Sequence, residues 1–240
     1  MKKSFFEMIF VLLISISFPF SCFSQGSVNE RIVHFAEGFL GTDYDPDPLG
    51  AYVRKKVIVY DEKVDCVYLV FRSVELALAN SESNSIEIAL DKRFKTRGIM
   101  SNGLVLNYDD RYEYMEDVIP TGKLGKDITH SLSERIAHTS SPRVSDFDFI
   151  PKEEINKVAK KLKDGDIVYF VKGVKDRKEN EIVGHLGIVK IERGEVFLIH
   201  ASGIKVNDYT RVKSTGRVVK VPLCKYVLKS RFLGIKVTRM

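Results

Sequence analysis

The run from Asp65 to Asn80, DCVYLVFRSVELALAN, sets the terms for any fold this chain can adopt. At helical spacing Val67, Val70, Phe71, Val74, Leu76, Ala77 and Leu78 form an apolar face wide enough for a buried helix, which needs a second layer to cover it. Asp65 is a good N-cap, because its carboxylate accepts from the unpaired N–H groups of the first turn. Cys66 then falls in that first turn, where the partial positive charge of the helix end favours a thiolate. Thiols so placed, with a cationic neighbour, reach pKa values of roughly 3.5 to 7.5. On this stretch alone two readings stay open: a reactive thiol, or a small apolar residue at the start of a core helix.

The covering layer is legible in the last third of the chain. Strand-like runs occur at Asp166–Val171, Leu186–Ile191, Val196–His200, Arg217–Leu223 and Phe232–Val237, with tight turns marked by Gly194 and Gly203. Before them, Pro151 is expected to open a helix through Ile155, Val158, Ala159 and Leu162, ended by Asp164-Gly165. Helices first and consecutive strands later indicate an α+β domain with an antiparallel sheet.

Residues 1–24 have the build of a signal peptide: Lys2 and Lys3, an apolar core from Phe10 to Phe20, and small residues at Cys22 and Ser24 before Gln25. The apolar core is short for a membrane span, and Cys22 lacks the aliphatic approach of a lipidated cysteine. An exported protein, periplasmic or extracellular and without a stable membrane anchor once cleaved, is expected. Residues 25–240 are expected to form one monomeric domain. The net charge is +6, but Lys and Arg are interleaved with acids and form no basic stripe, which argues against nucleic acid. Only Cys66 and Cys224 remain outside the leader, too few for a disulfide scaffold, and both are expected to be free.

Ser27-Val28-Asn29-Glu30 is a capping box, and the helix after it carries Ile32, Val33, Phe35, Ala36 and Phe39 on one side before stopping at Gly38–Gly41. The Asp/Pro-rich residues 42–50 read as a loop, and Val57–Tyr60 as a short strand. Residues 81–150 form an elaborated segment of mixed signals: helical periodicity at Ile86–Phe94 and Arg111–Ile119, and turns at Asn102-Gly103 and Pro120-Thr121-Gly122. Its Tyr108, Tyr112, Tyr114, Glu116 and Asp117 are expected to pack rather than to line a cleft.

Two of the five histidines stand out by position. His185 precedes one strand and His200 ends the next. With the turn at Gly194 between them, residues summing to about 386 face one another, so the two are cross-strand neighbours within the slippage of a bulge. That suits a thiol nucleophile at Cys66, a base at His185 and an orienting His200, with the base holding the thiolate as an ion pair.

Gly-Thr-Asp-Tyr at 41–44, Asp-Cys at 65–66, Gly-Asp-Ile-Val at 165–168, His-Leu-Gly-Ile-Val at 185–189 and Ile-His-Ala-Ser at 199–202 occur in the order seen in NlpC-type cell-wall cysteine peptidases. The closing Leu-Gly-Ile-Lys-Val-Thr-Arg at 233–239, and the long segment before Gly165, resemble the N-acetylmuramoyl-L-alanine amidase-like branch of that superfamily. The resemblance implies a papain-like fold, with the nucleophile helix packed on an antiparallel sheet. It also implies hydrolysis of an amide in peptidoglycan or muropeptides by Cys66, His185 and His200, without a metal or other cofactor. Carried over residue by residue, Tyr44 and Asp65 line the substrate cleft, Asp65 being placed to meet a free substrate amine and so to favour stem peptides with an exposed N-terminus.

The chain departs from the pattern at Val67-Tyr68, where relatives carry small or hydroxyl residues. Tyr68 is expected to narrow the cleft or to donate to the oxyanion. The order of cysteine before both histidines argues against the permuted acyltransferases, and the histidines lack neighbours at zinc-ligand spacing. The alternative from another class is a wall-binding module that keeps the fold without the chemistry. A redox role for Cys66 and Cys224 is disfavoured, since they form no Cys-x-x-Cys pair and Cys224 falls in a strand-like run.

Overall fold

The computed structural model describes residues 26–240, save 179 and 213; residues 1–24, where a signal peptide was expected, lie outside the described residues. Its centre is an antiparallel run of five long strands in the spatial order Arg217–Pro222, Glu195–Ser202, Val183–Glu192, Ile167–Val171 and Gly234–Arg239. Short strands extend both edges: Asp43–Tyr44 and Lys63–Val64 beyond the first, Phe147–Pro151 and Ala137–Thr139 beyond the last. All five strand-like runs of the last third are present, each within a few residues of the expected bounds.

Both faces of the sheet are covered, and strand alternation sorts the side chains between them. Ile167, Tyr169 and Val171 point into the core under the helices Val28–Gly38 and Cys66–Leu78. Val168 and Phe170 point to the other side, against Ile155, Val158, Leu223 and Val227. The helical stretch after Pro151 is a mixed one: a 3-10 turn Lys152–Glu154, an α-turn Ile155–Val158 and a second 3-10 turn Ala159–Lys161. Cys224 is in the helix Leu223–Lys229 that follows Pro222, not in a strand. Proline at the strand end removes a ladder donor and pre-sets the turn into the helix. Both cysteines are free thiols.

The helix Cys66–Leu78 is buried along most of its circumference, not only on its apolar face. Its polar residues are therefore paired: Arg72 with Asp61 and Ser85, and Glu75 with Arg93 through two 2.6 Å bonds. Arg93 also donates to the Ile58 carbonyl and lies over the Tyr68 ring. This explains why Val57–Tyr60 is not a strand. Its backbone is claimed by side chains: Tyr108 Oη donates to Val57 O, Arg93 to Ile58 O, and Tyr60 N–H donates to Tyr68 Oη.

Residues 81–150 wrap this helix and then join the sheet. Glu82–Lys92 is helical, capped by Ser81, and Asn102-Gly103 turns a hairpin with both residues at positive φ. Only Met115–Val118 of the expected second helix is α-helical. Glu116, buried, accepts from the backbone N–H groups of Ile182 and Val183 and so fastens this segment to the strand that carries His185.

Because Glu75 has no water to fall back on, removing its partner should cost more than an ordinary core change. Arg93→Met is expected to destabilise the protein by about 3–5 kcal/mol, and Glu75→Leu in the same chain to restore much of that loss, as read from urea denaturation midpoints.

Candidate active site

The two histidines are brought together by a turn. Arg193 and Gly194 both have positive φ, 49° and 80°, which is the two-residue type I′ loop whose twist suits a hairpin. It sets Glu192 opposite Glu195 and Ile188 opposite Ile199, so facing residues sum to 387. That is one more than the sequence expectation, and the difference matters: a one-residue slip exchanges faces. In the observed register His185 and His200 are diagonal neighbours on the same face, with His185 Nε2 2.8 Å from His200 Nδ1. Phe170, Tyr226 and Phe232 pack around them, Phe232 stacked on His185 and Tyr226 tilted over His200.

Cys66 is half-buried at the start of its helix. Asp65 caps that helix, its Oδ1 accepting from Tyr68 N–H at 2.8 Å. The backbone N–H of Leu186, next to His185, is directed at the sulfur. Cys66 and His185 are thus linked through neighbouring backbone, while no hydrogen bond joins the thiol to the His185 ring, which spends Nε2 on His200. Such contacts are commonly loose before substrate binds.

Burial pushes the Cys66 thiol up to about 12; the Asp65 carboxylate adds to this, and the Leu186 N–H and Lys205 only partly oppose it. Burial, then the neighbouring His200, brings His185 down to about 3, and burial brings His200 down to about 4. These shifts all run against the expected resting ion pair and towards a neutral thiol and neutral imidazoles, because desolvation works against the helix-end charge.

Asp65 has a second partner that the sequence did not suggest. Its Oδ2 is 3.0 Å from Lys205 Nζ, a residue of the loop after the His200 strand, and Lys205 also lies 5.3 Å from the Tyr44 ring centre. Burial works against the Lys205 charge, but Asp65, with Asp45 farther off, holds its pKa above the ordinary lysine value. The anion expected to receive a substrate amine is already neutralised. Lys205 carries no periodic or motif signal that could have found it.

Tyr44 lines the cleft wall, packed where a side chain on Gly203 would stand. Tyr68 does not. It is 1% exposed, with its hydroxyl donating to Asp61 and accepting from Tyr60 N–H, so it faces the core and offers nothing to a ligand. Val67 takes its place in the cleft. The Asp/Pro-rich loop forms a rim built on its own carboxylates: Asp45 accepts from Asp47 and Ala51 N–H, and Asp47 from Leu49 N–H and bidentately from Arg54.

The cleft holding Cys66, Asp65, Tyr44 and Lys205 has a volume of about 390 Å³, closed on the far side by Tyr112, Glu113 and Tyr114. The elaborated segment is thus divided: Tyr112 and Tyr114 line the cleft, whereas Tyr108 and Glu116 pack. A larger hollow of about 500 Å³ lies behind the histidines, between Tyr226, Phe232 and Lys229. Its lining has no cysteine, and Cys66 opens into the smaller cleft.

The histidines also make stability pH-dependent. Their folded pKa values lie below the ordinary value of 6.5, so the unfolded chain binds more protons as the pH falls. Their contribution is fully present above about pH 6.5 and is lost towards pH 4 and then 3. A His185→Gln, His200→Gln chain should lose less melting temperature than the parent between pH 7 and pH 4.5. Parallel curves would contradict the assignment.

Comparison with known proteins agrees with this architecture. An N-acetylmuramoyl-L-alanine amidase from Bacteroides uniformis has a similar fold, with a TM-score of 0.67 and 22% identity over 90% of this chain and 99% of that one. A Legionella pneumophila protein is similar at a TM-score of 0.66, with 20% identity over 88% of each chain. No curated protein matches. A family model described as N-acetylmuramoyl-L-alanine amidase-like matches residues 34–235, and the chain belongs to that AmiA-like family.

Proposed function

We propose that the protein is an exported cysteine hydrolase with an NlpC-type, papain-like fold, cleaving the amide between muramic acid and L-alanine in peptidoglycan or its fragments. The observation that carries the chemistry is Cys66, at the N-terminus of a buried helix, whose sulfur faces the backbone N–H of Leu186, the residue after His185, which is itself hydrogen-bonded to His200 at 2.8 Å. The choice of bond rests on Lys205. With Asp65 already paired to it and Glu113 facing Arg111, each carboxylate lining the cleft has a cation partner before a peptide's N-terminal ammonium arrives. An alanine nitrogen acylated by the lactyl group carries no charge to leave unpaired. Family membership supports the same bond, and the leader at 1–24 supports export.

The steps follow from the protonation states. For His185 to act as base at Nδ1, its Nε2 must carry hydrogen and donate to His200 Nδ1, which fixes the tautomer. Because the thiol is neutral at rest, its proton passes to His185 as the sulfur attacks the lactyl carbonyl carbon, not beforehand. The C–S bond forms and the carbonyl electron pair moves to oxygen, facing the N–H groups of the first helical turn. Collapse of this intermediate breaks the C–N bond, and the His185 imidazolium protonates the departing alanine amine. Water, deprotonated by His185, then releases the muramoyl carboxylate and the thiol.

Cys66→Ala is expected to abolish release of stem peptide from muropeptides, followed by mass spectrometry, while melting like the parent. His185→Ala should be nearly as inactive, whereas His200→Ala should retain more activity, since water can partly replace an orienting group. Undiminished turnover by folded Cys66→Ala would remove the mechanism. Muropeptide binding without turnover by the parent would favour a wall-binding module.

A further inference from the structure

We propose that His138, Asp146 and Asp148 form a binding site for a divalent transition metal of the zinc type, on the edge of the sheet away from the cleft and independent of the hydrolase chemistry. His138 lies directly opposite Asp148 in the hairpin of strands Ala137–Thr139 and Phe147–Pro151, so their side chains share a face. Asp146 precedes Asp148 by two residues. His138 Nδ1 is 2.6 Å from Asp148 Oδ1 and 3.5 Å from Asp146 Oδ1, and one ligand atom from each residue lies within 4.8 Å of the others. Metal–ligand bonds of about 2.0–2.2 Å place tetrahedral ligand atoms about 3.3 Å apart, so small side-chain adjustments close the set around one ion.

Two further observations point to a ligand. Asp148 Oδ1 is buried and accepts no hydrogen bond, although an imidazole nitrogen stands 2.6 Å away. The two atoms converge without the alignment a hydrogen bond requires, as two ligands of one centre do. The other oxygen of Asp148 is held at 2.7 Å by His130 Nε2, an outer partner of the kind that orients a ligating carboxylate. Charge also fits: Asp146 and Asp148 balance a dication, and the neighbouring cations are engaged elsewhere, Lys236 at 2.9 Å with Asp127 and with the Asp148 carbonyl and Arg177 with Ser140 O and Thr139 Oγ1. An imidazole with two carboxylates suits zinc and its neighbours better than calcium or magnesium, which prefer all-oxygen sets. Two strands, Gly234–Arg239 and Ile167–Val171, separate the hairpin from the strand of His185, so the ion is structural. It ties the turn at Thr129–Leu132 to the last strand of the sheet and closes an edge open to mispairing.

The test is zinc chloride titration, by calorimetry, of chelator-treated chain 25–240 carrying Cys66→Ala and Cys224→Ala, which removes both competing thiols. One saturable site is expected, with an affinity lowered roughly tenfold or more by His138→Ala and by Asp146→Asn. Both replaced residues are exposed, so the fold is spared, and circular dichroism verifies this. No saturable binding, or binding unchanged in both variants, would overturn the proposal.

Discussion

One carboxylate holds the two halves of the site together. Asp65 gives one oxygen to the first turn of the Cys66 helix and the other to Lys205, 140 residues away in sequence. The first contact fixes where the helix begins, and hence where the thiol stands. The second draws the loop after the His200 strand over the cleft and brings Lys205 against the Tyr44 ring. A buried carboxylate with only one of these partners would be costly; with both it is satisfied, and its charge is balanced by Lys205. Burial, and then the same negative charge, push the pKa of the Cys66 thiol up to about 12. The arrangement therefore favours proton transfer during attack over a standing thiolate.

The other half of the geometry comes from backbone register. The Arg193-Gly194 turn decides which residues of the two central strands face each other, and only that register sets both imidazoles on one face. Upstream of the turn, the ladder of this strand with Ile167–Val171 is irregular between Val183 and His185, and Glu116 anchors the N–H groups of Ile182 and Val183 there. The elaborated segment thus has two physical tasks. It holds the start of the base-bearing strand, and it supplies Tyr112 and Tyr114 as the far wall.

What the sequence made legible was local. The cap and span of the Cys66 helix, the Ser27–Glu30 capping box and the five strands follow from spacing and turn chemistry, which act over a few residues. The histidine pair was nearly legible, wanting only the turn type that sets the register. What escaped depends on partners far along the chain. Val57–Tyr60 has strand composition, yet Arg93, Tyr108 and Tyr68 take up its backbone groups. Tyr68 reads as a cleft residue by adjacency to Cys66, but two residues on is the inner face of a helix, where Asp61 and Arg93 hold it. Lys205 looks like any loop lysine until the fold sets it beside Asp65.

The pairing of Asp65 with Lys205 is the centre of the account, and it is tested by a ratio. The kcat/KM for a muramoyl-linked stem peptide, divided by that for the same peptide with a free N-terminal alanine, is measured for the parent chain and for Lys205→Met. The parent should prefer the linked form. Lys205→Met, leaving Asp65 without its cation, should shift the ratio towards the free amine by roughly tenfold or more, as loss of one partner of a buried charge pair does. An unchanged ratio, or a parent that prefers the free peptide, would contradict the account.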